Sequence, residues 1–389
     1  VSVQNCGAEV SIVGIGQMPV TAASPLSLRQ LGAEAIKRAM ADAGVDQVDA
    51  LFVGNMLADE LQGQKHLASL IADEAGLRWA EALQVRAATA TGAAALRMAY
   101  LAVASGQADV AVALGVEKMS TDRAHVISSL AKALDAELEV PTGATLLSQN
   151  AKLMRLYLER YGRTIADFDG FALNAHANAN HNPNALFHDR VVTTEVIDAS
   201  PVVSDPLRLH DAAPICDGAA AVVLTRTRQA RAFHHQPVKM LAASVVTDRF
   251  RIADRADPLR LEASARSARE AFKRANVHRS DIDLFEVHDA FSIMAALILE
   301  AVGYAEPGQG WRLAAEGDIF HGGAVPISTM GGLKARGHPI GASAIYQTCE
   351  IVQQLTGTAG ANQLADPKVA LLQSVGGAGS TVLTHLFGV

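Results

Sequence analysis

The sequence predicts an α/β fold built from two related halves, and three observations carry that expectation. Apolar runs alternate with amphipathic stretches along the chain. Two distant segments repeat the same order of small-residue turn, helix and buried strand. The composition is that of a large core, with 50% hydrophobic residues, 19% charged residues and 31 glycines. At 389 residues the chain exceeds the ~250–300 at which single cores stop growing, so more than one packed unit is expected. The same composition excludes a disordered tail or a coiled coil.

Taken in order, AEVSIVGIG reads as a strand, SLRQLGAEAIKRAMADAG as a helix, QVDALFVGNML as a strand and LASLIADEAGL as a helix. Strands and helices alternating in this way argue covered, largely parallel sheets. GAAALRMAYLAVASGQ then runs into DVAVALGVEKM, and much later GASAIYQTCEIVQQLTG runs into KVALLQSVGG, which is the internal repeat. Between them the character changes. SSLAKALDAELEV and AKLMRLYLERYG read as helical, whereas NAHANANHNPNALFHDRVV is polar and turn-rich, an excursion expected to cover a site. GAAAVVLTR returns the chain to the first half and VKMLAASVVT opens the second. The expected units are 1–118 with 206–236, a loop domain at 119–205, and 237–389. DRFRIADRADPLR and ARSAREAFKRANVHRSD are read as solvated faces.

Thirty-three basic and 40 acidic residues give a net charge of −7 with no basic block, so no nucleic-acid footprint is expected. No apolar run approaches the ~18 residues of a membrane span, and AALILEAVG is cut by Glu300. The opening VSVQNCGAEV lacks a basic stretch followed by an apolar one, so a cytoplasmic location is expected. Cys6, Cys216 and Cys349 are too scattered for a disulfide framework or a thiolate site, and no CxxC, HxxxH or HExxH spacing occurs, so no metal is expected. Cys216 and Cys349 are read as structural. Gly14 and Gly16 in SIVGIGQMP lack the third glycine of a dinucleotide fingerprint, and a structural turn is the better reading.

Three segments carry chemistry. In GGLKARGHPIGASA, His338 stands between Gly337 and Pro339, where glycines admit a close ligand and proline fixes the turn. A histidine that merely caps a helix is the alternative. In VHDAFSIMAALILEA, His288 and Asp289 follow the strand DLFEV, at the strand end where open α/β sheets place ligands. The alternative is an N-cap pair. In QSVGGAGS a strand runs into glycines whose N–H groups can form an oxyanion hole, and a sharp turn needing positive φ explains the same residues. Gly377 and Gly379 of this turn, with Asp289, complete the candidate oxyanion and substrate set.

Together GHPIGA, HDAF and the terminal GGAG resemble the thiolase superfamily, in the branch of sterol-carrier-protein-type and archaeal thiolases. NPNALF and DPLRLHDAAPICDGAAAVVLTR follow in family order, so the resemblance spans the chain. It implies two pseudo-symmetric βαβαβαββ halves in five αβαβα layers, a loop domain over an acyl-CoA site, and homodimers or tetramers. It implies a coenzyme A thioester as substrate and no covalently bound cofactor. One departure stands out. In VRAATATGAAALRMAY the position of the family's nucleophilic cysteine is Thr89. A threonine hydroxyl stays protonated unless a base takes its proton, so the ordinary acyl-cysteine route is closed there. The second cysteine of many thiolases is also missing, since Ala290 stands in HDAF and Gln373–Ser374 precede the glycines.

Three functions are compatible with this pattern. The first is an acyltransferase of acetyl-CoA acetyltransferase type, with Thr89, His288 and His338 as catalytic residues. The second is an aldolase on the same fold, cleaving a β-hydroxyacyl-CoA without a covalent intermediate; proteins resembling it associate with a small OB-fold partner bearing a zinc ribbon. The third is a non-catalytic acyl-CoA-binding subunit.

Overall fold

The computed structural model describes residues 8–233 and 236–389, so Cys6 lies outside the described residues. The strands are β1 Val10–Gln17, β2 Ala50–Gly54, β3 Glu81–Val85, β4 Val110–Glu117, β5 Val202–Ser204, β6 Leu207–Arg208, β7 Gly218–Arg226, β8 Val238–Thr247, β9 Leu284–Glu286, β10 Val369–Gly376 and β11 Thr381–Gly388. Nine of them form one sheet in the order β3-β2-β4-β7-β1-β8-β11-β10-β9, and β5 and β6 make a separate hairpin.

The order shows the two halves. β1, β2, β4 and β7 match β8, β9, β10 and β11 in position, and Ile327 bridges to Phe285 beside β9 where β3 lies beside β2. Among the described residues the half-sheets pair through Ser11 and Ile12 of β1 against Lys239 and Val238 of β8. Helices Thr91–Ser105 and Ser343–Leu355 pack between the halves and touch strands of both, while Leu28–Ala43 and Glu262–Ala275 cover the outer faces. Five layers result. Twelve of the thirteen residues of Ser343–Leu355 are buried, as expected for a helix covered on all sides.

The expectation of largely parallel sheets is corrected. β2–β3, β2–β4 and β9–β10 are parallel, but β4–β7, β7–β1, β1–β8, β8–β11 and β11–β10 are antiparallel. Only helical crossovers yield parallel neighbours, whereas the tight link between β10 and β11 is a hairpin. Two local readings also change. SSLAKALDAELEV is helical only as far as Ala131. Beyond it the Asp135 carboxylate takes the N–H groups of Glu137 and Leu138, and Glu139 takes that of Asp135, local bonds that compete with the helix. Conversely, the polar run NAHANAN belongs to the helix Asp169–Ala179. Asn174, Asn178 and Asn182 lie four apart and donate to the carbonyls of Ile327, Ser328 and Met330 at 2.8–3.0 Å, tying the excursion to the second half.

Gly14 and Gly16 form no turn; they lie inside β1, paired with β7. A Cβ on Gly16 would fall 2.4 Å from the carbonyl oxygen of Ala35, and one on Gly14 2.5 Å from that of Ala39. The glycines let the helix Leu28–Ala43 lie close on the strand. That helix opens with a capping box of Ser27 and Gln30 and ends at Gly44, whose φ is 72°. No helix among the described residues is long and apolar enough to cross a membrane.

Substituting Gly16→Val is expected to lower stability by about 1–3 kcal/mol or more through overpacking against backbone that cannot move aside. The denaturant midpoint measures it, and an unchanged midpoint would show that the helix can step back freely.

Candidate active site

The starts of the two central helices meet at one corner. A Cβ on Gly92 would lie 2.8 Å from the carbonyl oxygen of Gly341 and 3.4 Å from the Ala344 Cβ, so the backbone after Thr89 approaches the backbone after His338 as closely as glycine allows. Gly376 comes to the same place, with its Cβ position 2.7 Å from Ala87 O. Three of the sequence motifs are thus assembled by backbone contact.

Thr89 lies between β3 and its helix, directly after Ala88, whose φ of 48° is rare for a residue with a side chain. Thr91 holds this bend by accepting from Ala87 N at 2.9 Å and donating to Ala88 O at 2.7 Å. The Thr89 hydroxyl donates to Val375 O at 2.7 Å and accepts the N–H of Gly377 at 3.1 Å. No hydrogen bond joins Thr89 to His338. Gly377 therefore points its N–H at position 89. Gly379 does not: its N–H closes the turn onto Gly376 O at 3.3 Å. Both glycines also meet the simpler expectation, with φ of 62° and 100°. Arg255, in a segment read as a solvated face, is instead buried and donates to Ala378 O at 2.8 Å, holding the turn from behind.

His288 and His338 are brought together, their rings edge to face with centroids 5.5 Å apart. His338 Nδ1 lies 2.6 Å from Ser343 Oγ, which donates to Pro339 O at 3.1 Å. With the serine proton used there, His338 donates through Nδ1 and carries its lone pair on Nε2, the form of a general base. Burial lowers the proton affinity of both rings, His288 to about 3 and His338 well below its ordinary 6.5, so both are neutral. Asp289 does not cap the following helix, whose first turn is reached through Phe291 and Ser292. It turns inward, takes the N–H of Leu333 at 2.7 Å, and its backbone carbonyl receives the Lys334 ammonium at 2.8 Å. These bonds lock HDAF to the GGLK turn.

Several functional groups escaped the sequence reading. The Glu117 carboxylate takes four N–H groups, from Asn55 Nδ2 and Leu57 at 2.8 and 3.1 Å, and from Met56 and Gly341 at 3.0 Å each. Asp217 takes the N–H groups of Ser24, Met119 and Ser120 at 2.7–2.9 Å and pairs with Lys118 at 3.1 Å. Arg336 and Glu350, both fully buried, pair at 2.9 Å, and the guanidinium stacks on Tyr346 at 4.8 Å. Glu286 holds Thr329 N at 2.9 Å. The available signal was an acid inside an apolar buried run, as in ALGVE, DLFEV and TCEIV. Cys216 and Cys349 are fully buried, with the Cys216 thiol pushed up to about 12 and Cys349 likewise raised by burial, so neither is a nucleophile. No cluster of metal-ligating side chains occurs among the described residues. Two open surface clefts, of about 570 and 470 Å³, share no residue with this corner.

Family models describe the same arrangement. Residues 10–228 match the thiolase N-terminal domain and 244–389 the thiolase C-terminal domain-like family. This chain belongs to the thiolase family. It is 40% identical to an acetyl-CoA acetyltransferase of Methanothermobacter thermautotrophicus, over 97% of this chain and 99% of that one. It is 31% identical to sterol carrier protein 2 of Homo sapiens, over 96% of this chain and 71% of that one. The fold is shared with the structure titled Ltp2-ChsH2(DUF35) aldolase, at a TM-score of 0.86 and 24% identity, covering 99% of both chains. Its relatives place this thiolase-family chain among acyltransferases, with Thr89 at the corner where the two halves meet.

The site also sets the pH response of the fold. Burial brings His176 to about 4 and His385 to about 3, alongside His288 and His338. The unfolded chain takes up protons below about 6.5 that the folded chain refuses, so these groups favour folding above that value and lose their contribution toward about 3. Glu117 and Glu286, raised by burial to about 7 and about 8, act oppositely, favouring folding at low pH and losing their contribution as pH rises above about 4.5. Between about 4.5 and 6.5 the two glutamates offset only part of the loss from the four histidines, and below that only the histidines act. The urea midpoint is expected to fall as pH drops below about 6.5 and to fall more steeply below about 4.5. A midpoint that rises on acidification below about 4.5 would mean these rings are charged in the folded protein.

Proposed function

We propose that the protein works on acyl-CoA thioesters, making or breaking a carbon–carbon bond beside the thioester carbonyl as an acyltransferase of the acetyl-CoA acetyltransferase type. The observation that supports it is the convergence of three segments at one corner, with the Gly377 N–H on Thr89, the backbone after His338 against the backbone after Thr89, and His288 packed on His338. The lone pair on His338 Nε2 takes a proton from the carbon next to the thioester carbonyl, and His288 donates to the enolate oxygen that forms. In an acyl-transfer step through Thr89, the hydroxyl leaves Val375 O, gives its proton to His338 and forms an ester, with coenzyme A departing as the thiol. Gly377 N–H then turns from the hydroxyl to the carbonyl oxygen. The substrate thioester is the only coenzyme this scheme uses, and none is covalently held. The excursion 119–205 covers the site, between the halves 1–118 with 206–236 and 237–389. We read the protein as cytoplasmic.

The bond from Thr89 to Val375 O favours a second reading. A hydroxyl committed to a backbone carbonyl is a poor nucleophile, and retro-aldol cleavage of a β-hydroxyacyl-CoA needs none. A base removes the hydroxyl proton, the carbon–carbon bond breaks to release a ketone or aldehyde, and the enolate rests on the same donors. A small OB-fold partner bearing a zinc ribbon belongs with this reading.

Incubation with acetoacetyl-CoA plus coenzyme A, and separately with a β-hydroxyacyl-CoA, followed by product chromatography and intact-mass analysis, decides between them. Thr89→Cys is expected to raise thiolysis by about 10²-fold or more and to yield an acylated protein, because a thiolate then replaces the hydroxyl beside the Gly377 N–H. No gain and no adduct would remove the acyltransferase reading. Cleavage of the β-hydroxyacyl-CoA unaffected by Thr89→Cys and lost in His288→Ala would establish the aldolase.

The reading includes a homodimer or tetramer. β3 is an open sheet edge with Leu83 48% exposed, Trp79 beside it is 98% exposed, and Met98 and Leu101 lie exposed on the next helix. Sedimentation velocity at micromolar concentration is expected to show a dimer or larger, and Leu83→Asp a monomer. A monomeric wild-type chain would refute it.

A further inference from the structure

Beyond the catalytic pair the polar side chains continue in a row that the proposed reaction does not use. Lys334 is 1% exposed, and its ammonium makes one hydrogen bond, to Asp289 O, with no other partner among the described residues. The helix Asp169–Ala179 packs against this turn and brings up His176, 3% exposed. The His176 ring lies 5.3 Å from that of His210 and 5.1 Å from Phe187. Nδ1 of His176 and Nδ1 of His210 are both buried without a partner. His210 and Phe187 are only half-buried, so the row runs from the catalytic corner toward the surface beneath the excursion.

Burying three polar groups with open hydrogen-bonding capacity is costly unless something satisfies them. The acids around them are already engaged. Asp289 holds Leu333 N, and Asp211 holds Arg208 and the Ser292 hydroxyl. A further anion would meet the Lys334 ammonium, which faces Asp289 and Asp211 already, and Arg190, which is exposed and stacks on Phe187. A neutral oxygen, with lone pairs for the ammonium and one imidazole and a proton for the other, fits the set.

Resting on the acyl-CoA reading above, we infer that Lys334, His176 and His210 form a second polar subsite beyond the His288–His338 pair. It receives a hydroxyl beyond the β-carbon, so the substrates are acyl-CoAs hydroxylated along the chain. Burial supports the assignment by keeping His176 neutral, down at about 4, and by pulling Lys334 to about 8.

Calorimetric titration of the full chain with acetyl-CoA, hexanoyl-CoA, δ-hydroxyhexanoyl-CoA and adipoyl-CoA tests it. The hydroxy compound is expected to bind about tenfold more tightly than hexanoyl-CoA, since a site built to bond an oxygen discriminates against the analogue without it. His176→Phe and His210→Leu are each expected to bring that ratio within about twofold of unity. His210 is half-buried, so its variant keeps the test decisive if His176→Phe does not fold. Equal affinities in the wild type, or a preference that survives His210→Leu, overturn the subsite. Tightest binding of adipoyl-CoA overturns the neutral-oxygen assignment in favour of an anion. Failure of acetyl-CoA and hexanoyl-CoA to bind at all removes the acyl-CoA reading itself, and this inference with it.

Discussion

The Glu117 carboxylate is the joint between the two halves. It ends β4, is fully buried, and collects N–H groups from Asn55, Met56 and Leu57 of the first half and from Gly341 of the second. Four donors around one carboxylate offset much of the cost of burying it, and removing it would strand four polar groups in a dry interior. Because Gly341 follows His338 by three residues, the same bonds fix the histidine loop against the helix that begins after Thr89. The remaining buried charges continue this bracing, with Arg336 spanning from Glu350 and Tyr346 to the carbonyl of Gly337.

That bracing produces a site of neutral groups in a region of low polarity. His288 and His338 keep free lone pairs because burial opposes their protonation, and hydrogen bonds aimed at a developing oxyanion count for more where water is excluded. The cost is sensitivity to acid, which the buried carboxylates partly offset. Within this frame Thr89 occupies a position prepared for a nucleophile, with a bent backbone before it and an N–H from Gly377 aimed at its side chain. Its hydroxyl proton is nevertheless held by Val375 O. In the proposed acyl transfer, the covalent step depends on whether that one bond is given up.

The excursion contributes more than a cover. Its asparagines hold the carbonyls around Ser328 and Met330, and Leu186 and Phe187 donate to Arg336 and Ala335 at 2.9 and 3.3 Å. The loop carrying His338 is therefore clamped from both sides, by Glu117 beneath and by the excursion above. His176 reaches the site through the same clamp, which is why a helix distant in sequence shares a polar row with the catalytic turn.

The sequence by itself determined the alternation of strands and helices, the internal duplication, and the three motifs with His338, His288 and the terminal glycines. Those features rest on local periodicity and on residues whose backbone demands are local, whereas Thr89 at the position of a nucleophilic cysteine was legible only through the resemblance of its segment to the thiolase family. Tertiary structure alone decided the rest. Gly14 and Gly16 read as a turn until a helix is seen lying on them. NAHANAN reads as a loop until the carbonyls that its asparagines serve are in place. Gly379 reads as an oxyanion donor until its N–H is found closing its own turn, and Asp289 as a cap until Leu333 claims its carboxylate. Glu117, Lys334 and Arg336 are polar residues in apolar surroundings whose partners lie up to 224 residues away, and no local pattern encodes a bond of that span. Propensity and periodicity act over one turn or one strand, while the destination of a buried charge is fixed only when distant segments pack and water leaves.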